Sequence, residues 1–190
     1  SLPAHSEYRT SGGLAISRTV EQFTGDAKRL DALIDLLDRR RGVVLSSGTT
    51  VPGRYESFDL GFADPPLVLE TAGSNFSLSA LNARGEVLIA FLGDVLREPC
   101  VVISEKSPTR LAGHIIRGEA PVEEDQRTRR ASVMSLVRDI VAALAANDDP
   151  LLGLFGAFAY DLVFQIEDLV QKRARESDQR DIVLYVPDRL

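Results

Sequence analysis

Four hydroxyls, from Ser46, Ser47, Thr49 and Thr50, crowd into the stretch GVVLSSGTTVPGRYESFDLGF, residues 42–62. A hydroxyl can donate and accept at once. Gly48 and Gly53 let backbone N–H groups come close to a bound group, and Arg54 adds a planar, permanently charged fork that suits a carboxylate. Such a set could hold the head group of a free amino acid, whose ammonium needs acceptors and whose carboxylate needs donors. The same residues also suit an ordinary Ser/Thr/Gly-rich loop that turns at Pro52-Gly53. The residues alone leave both readings open.

Other candidates for chemistry are sparse. The chain has no phosphate-binding GxxxxGK[ST], no HExxH, no CxxC and no GxSxG, so the common nucleotide, zinc and serine-hydrolase signatures are missing. His5 is expected in a mobile N-terminus. His114 alternates with apolar neighbours in LAGHIIRG and reads as structural, because no nucleophile or carboxylate accompanies it. Glu123, Glu124 and Asp125 precede an expected helix, where acidic residues complement the dipole. The spacing of GLFGAFAYD does not fit GxGxxG, and its apolar filling argues for close packing. Arg39, Arg40 and Arg41 resemble a basic patch but are read as a helix end.

Bulk properties narrow the function classes. The chain has 190 residues, 44% hydrophobic and 26% charged, typical of a soluble globular protein. Its net charge is -6, which argues against nucleic acid as a partner, since phosphate binding needs a basic face. The one cysteine, Cys100, lies in the apolar run PCVVI, which points to a reducing, cytoplasmic compartment without a disulfide framework. No apolar run approaches the length of a membrane span.

The elements that must position these residues follow from periodicity. Ala27, Leu30, Leu33, Ile34 and Leu37 recur at helical spacing and predict a helix over residues 26–40, with Gly42 as its C-terminal cap. Ala131, Met134, Val137, Val141 and Leu144 predict a second, over residues 126–146. Strands are expected around residues 14–19, 43–46, 54–60 and 67–70. NFSLSALNARGEVLIAFL reads as a hairpin turning at Asn82-Ala83-Arg84-Gly85. CVVISEKSPTRLAGHIIRG reads as another, turning at Ser107-Pro108. LLGLFGAFAYDLVFQIEDL begins like a strand and ends like a helix, and DIVLYVPDRL is a terminal strand. Hairpins dominate, so the expected class is α+β with mainly antiparallel sheet and two or three flanking helices.

Three motifs in order, LSS…PGRYESFDLGF, GLFGAFAYDLV and DIVLYVPDRL, resemble the N-terminal region of anthranilate synthase component I. They look most like the fused form that carries its own glutamine amidotransferase. The resemblance spans about residues 8–190. It implies antiparallel sheets packed face to face with helices outside. It also implies a single regulatory and scaffolding domain, cut from a larger lyase that makes anthranilate from chorismate and glutamine. The catalytic synthase and glutaminase regions, and the Mg²⁺ they use, would lie outside this chain. The fragment is then expected to hold no cofactor and no catalytic residue, and to be inactive alone. Tryptophan is the implied effector, and homodimerisation is expected only at full length. Ser47 matches the family serine linked to tryptophan inhibition. Ser46 stands where many relatives have Glu, and Arg54 matches Gly-Arg-Tyr. Ser46, Ser47 and Arg54 are therefore the candidate effector residues. Two other readings remain: a related chorismate enzyme such as aminodeoxychorismate synthase, and a free-standing small-molecule binding module.

Overall fold

The computed structural model describes residues 3–23, 27–47, 59–96, 100–116, 131–167 and 169–190. An antiparallel hairpin comes first, β1 (His5–Arg9) with β2 (Ala15–Thr19). Then α1 (Ala27–Leu37) leads into a two-stranded ribbon of β3 (Gly42–Ser46) and β4 (Asp59–Ala63). The largest unit is a six-stranded sheet in the order β7-β8-β6-β5-β10-β9. It contains β5 (Leu67–Ala72), β6 (Asn75–Ala80), β7 (Val101–Lys106), β8 (Arg110–Ile115), β9 (Phe155–Phe158) and β10 (Ile182–Val186). Every described pairing in it is antiparallel. Helices α2 (Ala83–Val95) and α3 (Val133–Leu144) and the short α4 (Val163–Ile166) complete the chain. The class is α+β, as expected.

Alternation along the strands decides which face is filled. Leu67 and Leu69 of β5, Phe76 and Leu78 of β6, Leu111 and Ile115 of β8, and Ile182, Leu184 and Val186 of β10 share one face. Ile89 and Leu92 of α2 and Leu136 and Ile140 of α3 close over it, all buried. The opposite face receives the ribbon. Phe62 of β4 is buried, and its ring meets Phe155 and Tyr185 edge-on with centroids 6.1 Å apart. On the ribbon's far side lies α1. A Cβ on Gly61 would come within 2.6 Å of Leu33, and one on Gly42 within 2.6 Å of Leu37. The layers therefore run α2/α3, large sheet, ribbon, α1, which is the face-to-face sheet packing expected.

Several expectations need correction. The predicted hairpin at Asn82–Gly85 is the start of α2. The Asn82 side chain accepts from the N–H groups of Arg84 and Gly85, which is an N-cap. Gly85 is needed for contact, not for a turn: a Cβ there would lie 2.0 Å from the Pro66 carbonyl oxygen. Gly42 does not cap α1 but opens β3. Its Cβ position is filled by the Phe62 carbonyl oxygen, 2.1 Å away. Ile34 and Val141 were placed on apolar stripes, yet both are exposed. The buried face of α3 is Val133, Leu136, Val137, Ile140, Ala143 and Leu144; it keeps the predicted Val137 and Leu144, Ala131 and Met134 pack beside it, and Ile140 takes the place of Val141. His5 is not in a loose terminus; it opens β1, opposite Thr19. The predicted helix starts at Asp26 and at residues 126–130, and the strand portion 54–58, lie outside the described residues.

The burial pattern sets a scale for stability. Ile140→Ala, at a fully buried site, is expected to cost about 2–5 kcal/mol. Leu33→Ala, at a half-buried site on α1, should cost less than half of that. Asn82→Ala should cost about 1 kcal/mol through the lost cap. Urea unfolding of the three variants checks the order, and an equal loss at Ile140 and Leu33 would refute the layer assignment.

Candidate functional site

The ribbon carries the residues singled out for ligand binding, and its geometry separates them. Val44 and Gly61 pair across the ladder and face α1. Two residues along, Ser46 and Asp59 pair on that same face. The Ser46 hydroxyl donates to Asp59 Oδ1 at 2.6 Å. This is the last described rung of the ribbon. Ser47 follows, half-buried. It lies one residue past the end of β3, directly after the Ser46–Asp59 rung. Adjacent in sequence, Ser46 and Ser47 differ in setting: Ser46 is tied across the ribbon, and Ser47 lies beyond the ladder. Arg54, Thr49, Thr50 and the Pro52-Gly53 turn lie outside the described residues.

A second polar constellation sits at the far edge of the large sheet, and sequence reasoning missed it. Asp181, just before β10, is fully buried. It accepts from the Gly73 N–H at 2.7 Å, from Gln165 Nε2 at 2.8 Å and from Arg175 Nη1 at 3.2 Å. Arg175 Nη2 bonds its other oxygen. Burial alone would push this carboxyl up. The Arg175 bonds, the Gly73 N–H and Gln165 outweigh burial and hold it below its ordinary value. Gln179 donates to Asp161 Oδ2 at 2.6 Å, and Arg175 Nε lies 3.9 Å from the same oxygen. These side chains border an open cleft of about 990 Å³ that Phe158, Phe164 and Val170 also line. Its charged groups satisfy one another, so the constellation clasps the segment between α4 and β10 onto the sheet. The only sequence signal was the charged run VQKRARESDQR, which reads as solvated until Asp181 is seen to be buried.

A third cluster joins the first hairpin to the end of α3. The Tyr8 hydroxyl donates to Asp149 Oδ2 at 2.5 Å, and Arg18 Nη1 lies 3.2 Å from Asp149 Oδ1. Burial, then the bond to Asp149, pushes the Tyr8 phenol well above its ordinary value. This acts as a clamp: a phenol whose pKa is raised keeps its proton near neutral pH, so the O–H stays a donor to Asp149. His114 is half-buried on β8, facing away from the helices. Among the described residues no group of three His, Cys, Asp or Glu side chains could hold a metal ion. Among them, too, no helix is long and apolar enough to cross a membrane.

With this geometry in hand, comparison with known proteins is informative. No family model matches the chain. Over 184 residues, 96% of its length, the chain is 44% identical to a curated protein of Azospirillum brasilense named anthranilate synthase. It spans 25% of that relative's length. The resemblance read from three motifs thus extends over nearly the whole chain. The chain is similar to about a quarter of that protein.

The clasp gives a pH prediction with a definite sign. The folded Asp181 carboxyl lies below its ordinary value of 3.8. Its contribution is therefore fully present above that value and is lost as pH falls through the lower folded one. Asp181→Asn should destabilise by about 2–3 kcal/mol at neutral pH, discounted from the cost of breaking a fully buried pair because Arg175 is partly exposed. It should also flatten the loss of stability on acidification below about pH 4. Thermal unfolding across that range checks both. An unchanged acid limb would take Asp181 out of the stability balance.

Proposed function

We propose that this chain is the N-terminal regulatory and scaffolding domain of an anthranilate synthase and contributes one wall of its tryptophan feedback site. The observation that carries this reading is the 44% identity over nearly the whole chain. The ribbon geometry supports the effector reading of Ser47, which is half-buried directly after the Ser46–Asp59 rung.

In this reading Ser47 bonds the head group of tryptophan, and Arg54 biases its carboxylate. Ser46 acts through Asp59. Their bond fixes the last rung of the ribbon and so the direction in which Ser47 points. The effector completes its contacts with the remainder of the enzyme, where chorismate, Mg²⁺ and the glutaminase would be found. Inhibition is then a coupling free energy between two sites, and loss of an effector contact need not disturb catalysis. The compartment proposed is the cytoplasm, consistent with one unpaired cysteine.

Three measurements test this. In the full-length enzyme, Ser47→Ala should raise the inhibitory tryptophan concentration about ten- to hundredfold. A hydrogen bond to a charged group is worth about 1.5–3 kcal/mol. Activity without tryptophan should stay nearly unchanged. Inhibition that survives Ser47→Ala intact would reduce the stretch to a plain turn. The isolated chain, given chorismate, ammonia and Mg²⁺, should yield no anthranilate fluorescence; turnover that tracks the chain through purification would contradict the assignment. Calorimetry should give weaker tryptophan binding to the isolated chain than to the full-length enzyme.

A further inference from the structure

The two edges of the large sheet are built differently. At one edge, β7 carries Glu105 and Lys106, and its register with β8 shifts between Ile103 and Glu105. Edge charges and a bulge are the usual devices that stop a strand from pairing further. At the other edge, β9 reads Phe155-Gly156-Ala157-Phe158, with no charge and no proline. Among the described residues its only neighbour is β10.

The ladder shows which groups are left over. The Ala159 N–H donates to the Asp181 carbonyl at 2.7 Å, one step past the Phe158–Ile182 pair. Alternation along an antiparallel ladder then gives Ala157 and Phe155 the bonds to β10, and it turns the N–H and C=O of Gly156 and Phe158 outward. Apolar surface accompanies this open edge. Phe158 is 52% exposed, Tyr160 89% and Val170 84%. Phe158 and Val170 line the same cleft, and the Arg175–Asp181 clasp holds the segment behind Val170 in place.

We propose that the free edge of β9 is a strand-addition site, taken by an extended apolar strand from the remainder of the longer polypeptide. This rests on the reading of the chain as one part of a larger synthase; its relative is about four times as long, since the chain spans 25% of it. The shortness of the edge selects this occupant over a second copy. Two outward-facing residues and a few side chains fall well below the roughly 1,000 Å² that a stable association of separate molecules needs. A tethered strand binds as an intramolecular event, for which so small a contact suffices. The strand would complete the ladder through Gly156 and Phe158 and lay apolar side chains over Phe158, Tyr160 and Val170. The clasp then has a purpose beyond local stability: it keeps the far wall of the groove in place.

Amide hydrogen exchange on this chain and on the full-length polypeptide tests the idea. The Gly156 and Phe158 amides should exchange freely in this chain and be slowed at least about a hundredfold at full length, as for buried ladder amides. Phe158→Lys should lower the melting temperature of the full-length protein by several degrees while leaving this chain nearly unaffected. Ser104→Lys, on the guarded β7 edge, should change neither. Equal exchange in both proteins would overturn the proposal. So would protection in this chain that rises with its concentration, which would give the edge to a second copy. If full-length protein is inhibited by tryptophan but leaves these amides unprotected, the edge proposal fails and the functional reading survives. If the reading frame ends at Leu190, both fail together.

Discussion

A sheet that is apolar on both faces has to be covered twice, and this requirement organises the molecule. Strands β5 and β10 lie side by side within the large sheet. Leu67, Leu69, Ile182 and Leu184 point to one face, while Val68 and Tyr185 point to the other. Helices α2 and α3 seal the first. The second would leave Val68 and the Tyr185 ring in water, at a cost of about 25 cal/mol for each Å² of apolar surface. Phe62 removes that cost by bringing the β3–β4 ribbon down onto Phe155 and Tyr185. The ribbon in turn needs its own outer cover, which α1 supplies through Leu33 and Leu37. The β3–β4 ribbon is thus held between the large sheet and α1 because both of its neighbours need the cover.

The polar clusters follow from the same layering. Asp181 is buried where the segment after α4 crosses the end of β10, and a buried carboxylate persists only if its charge is answered. Arg175, Gln165 and the Gly73 N–H answer it. Tyr8 and Arg18 do the same for Asp149 where the first hairpin meets the end of α3. Both clusters fix irregular chain onto regular structure, at places where periodic hydrophobicity cannot specify an arrangement.

Much of this was legible in the sequence. The stripe of Leu30, Leu33 and Leu37, the Ser107-Pro108 hairpin, the strand-then-helix reading of GLFGAFAYDLV and the terminal strand DIVLYV all correspond to observed elements. So does the α+β class, because short alternating runs separated by turns leave few other outcomes. The three ordered motifs marked a relationship that the comparison extends to 96% of the chain. Such patterns are local, and each is set by residues within a few positions of one another.

Tertiary contact decided the rest. NARGEVLIAFL contains a plausible turn and a continuous apolar run, whose period cannot separate a strand from a buried helix. The Pro66 carbonyl pressed against Gly85, and the room for α2 on the sheet, settle it as a helix. On α3 only Val141 proves misplaced, because Val141 and Ile140 are equally apolar and only the position of the sheet tells which one is buried. The burial of Asp181 could not be read from a charged run, since its partners lie up to 108 residues away in the chain. The sequence likewise set Ser46 beside Ser47 as a pair. The pairing of Ser46 with Asp59 across the ribbon is what separates the two: Ser46 is tied to the facing strand, and Ser47 lies just beyond the ladder, because that partner comes from thirteen residues away in the chain.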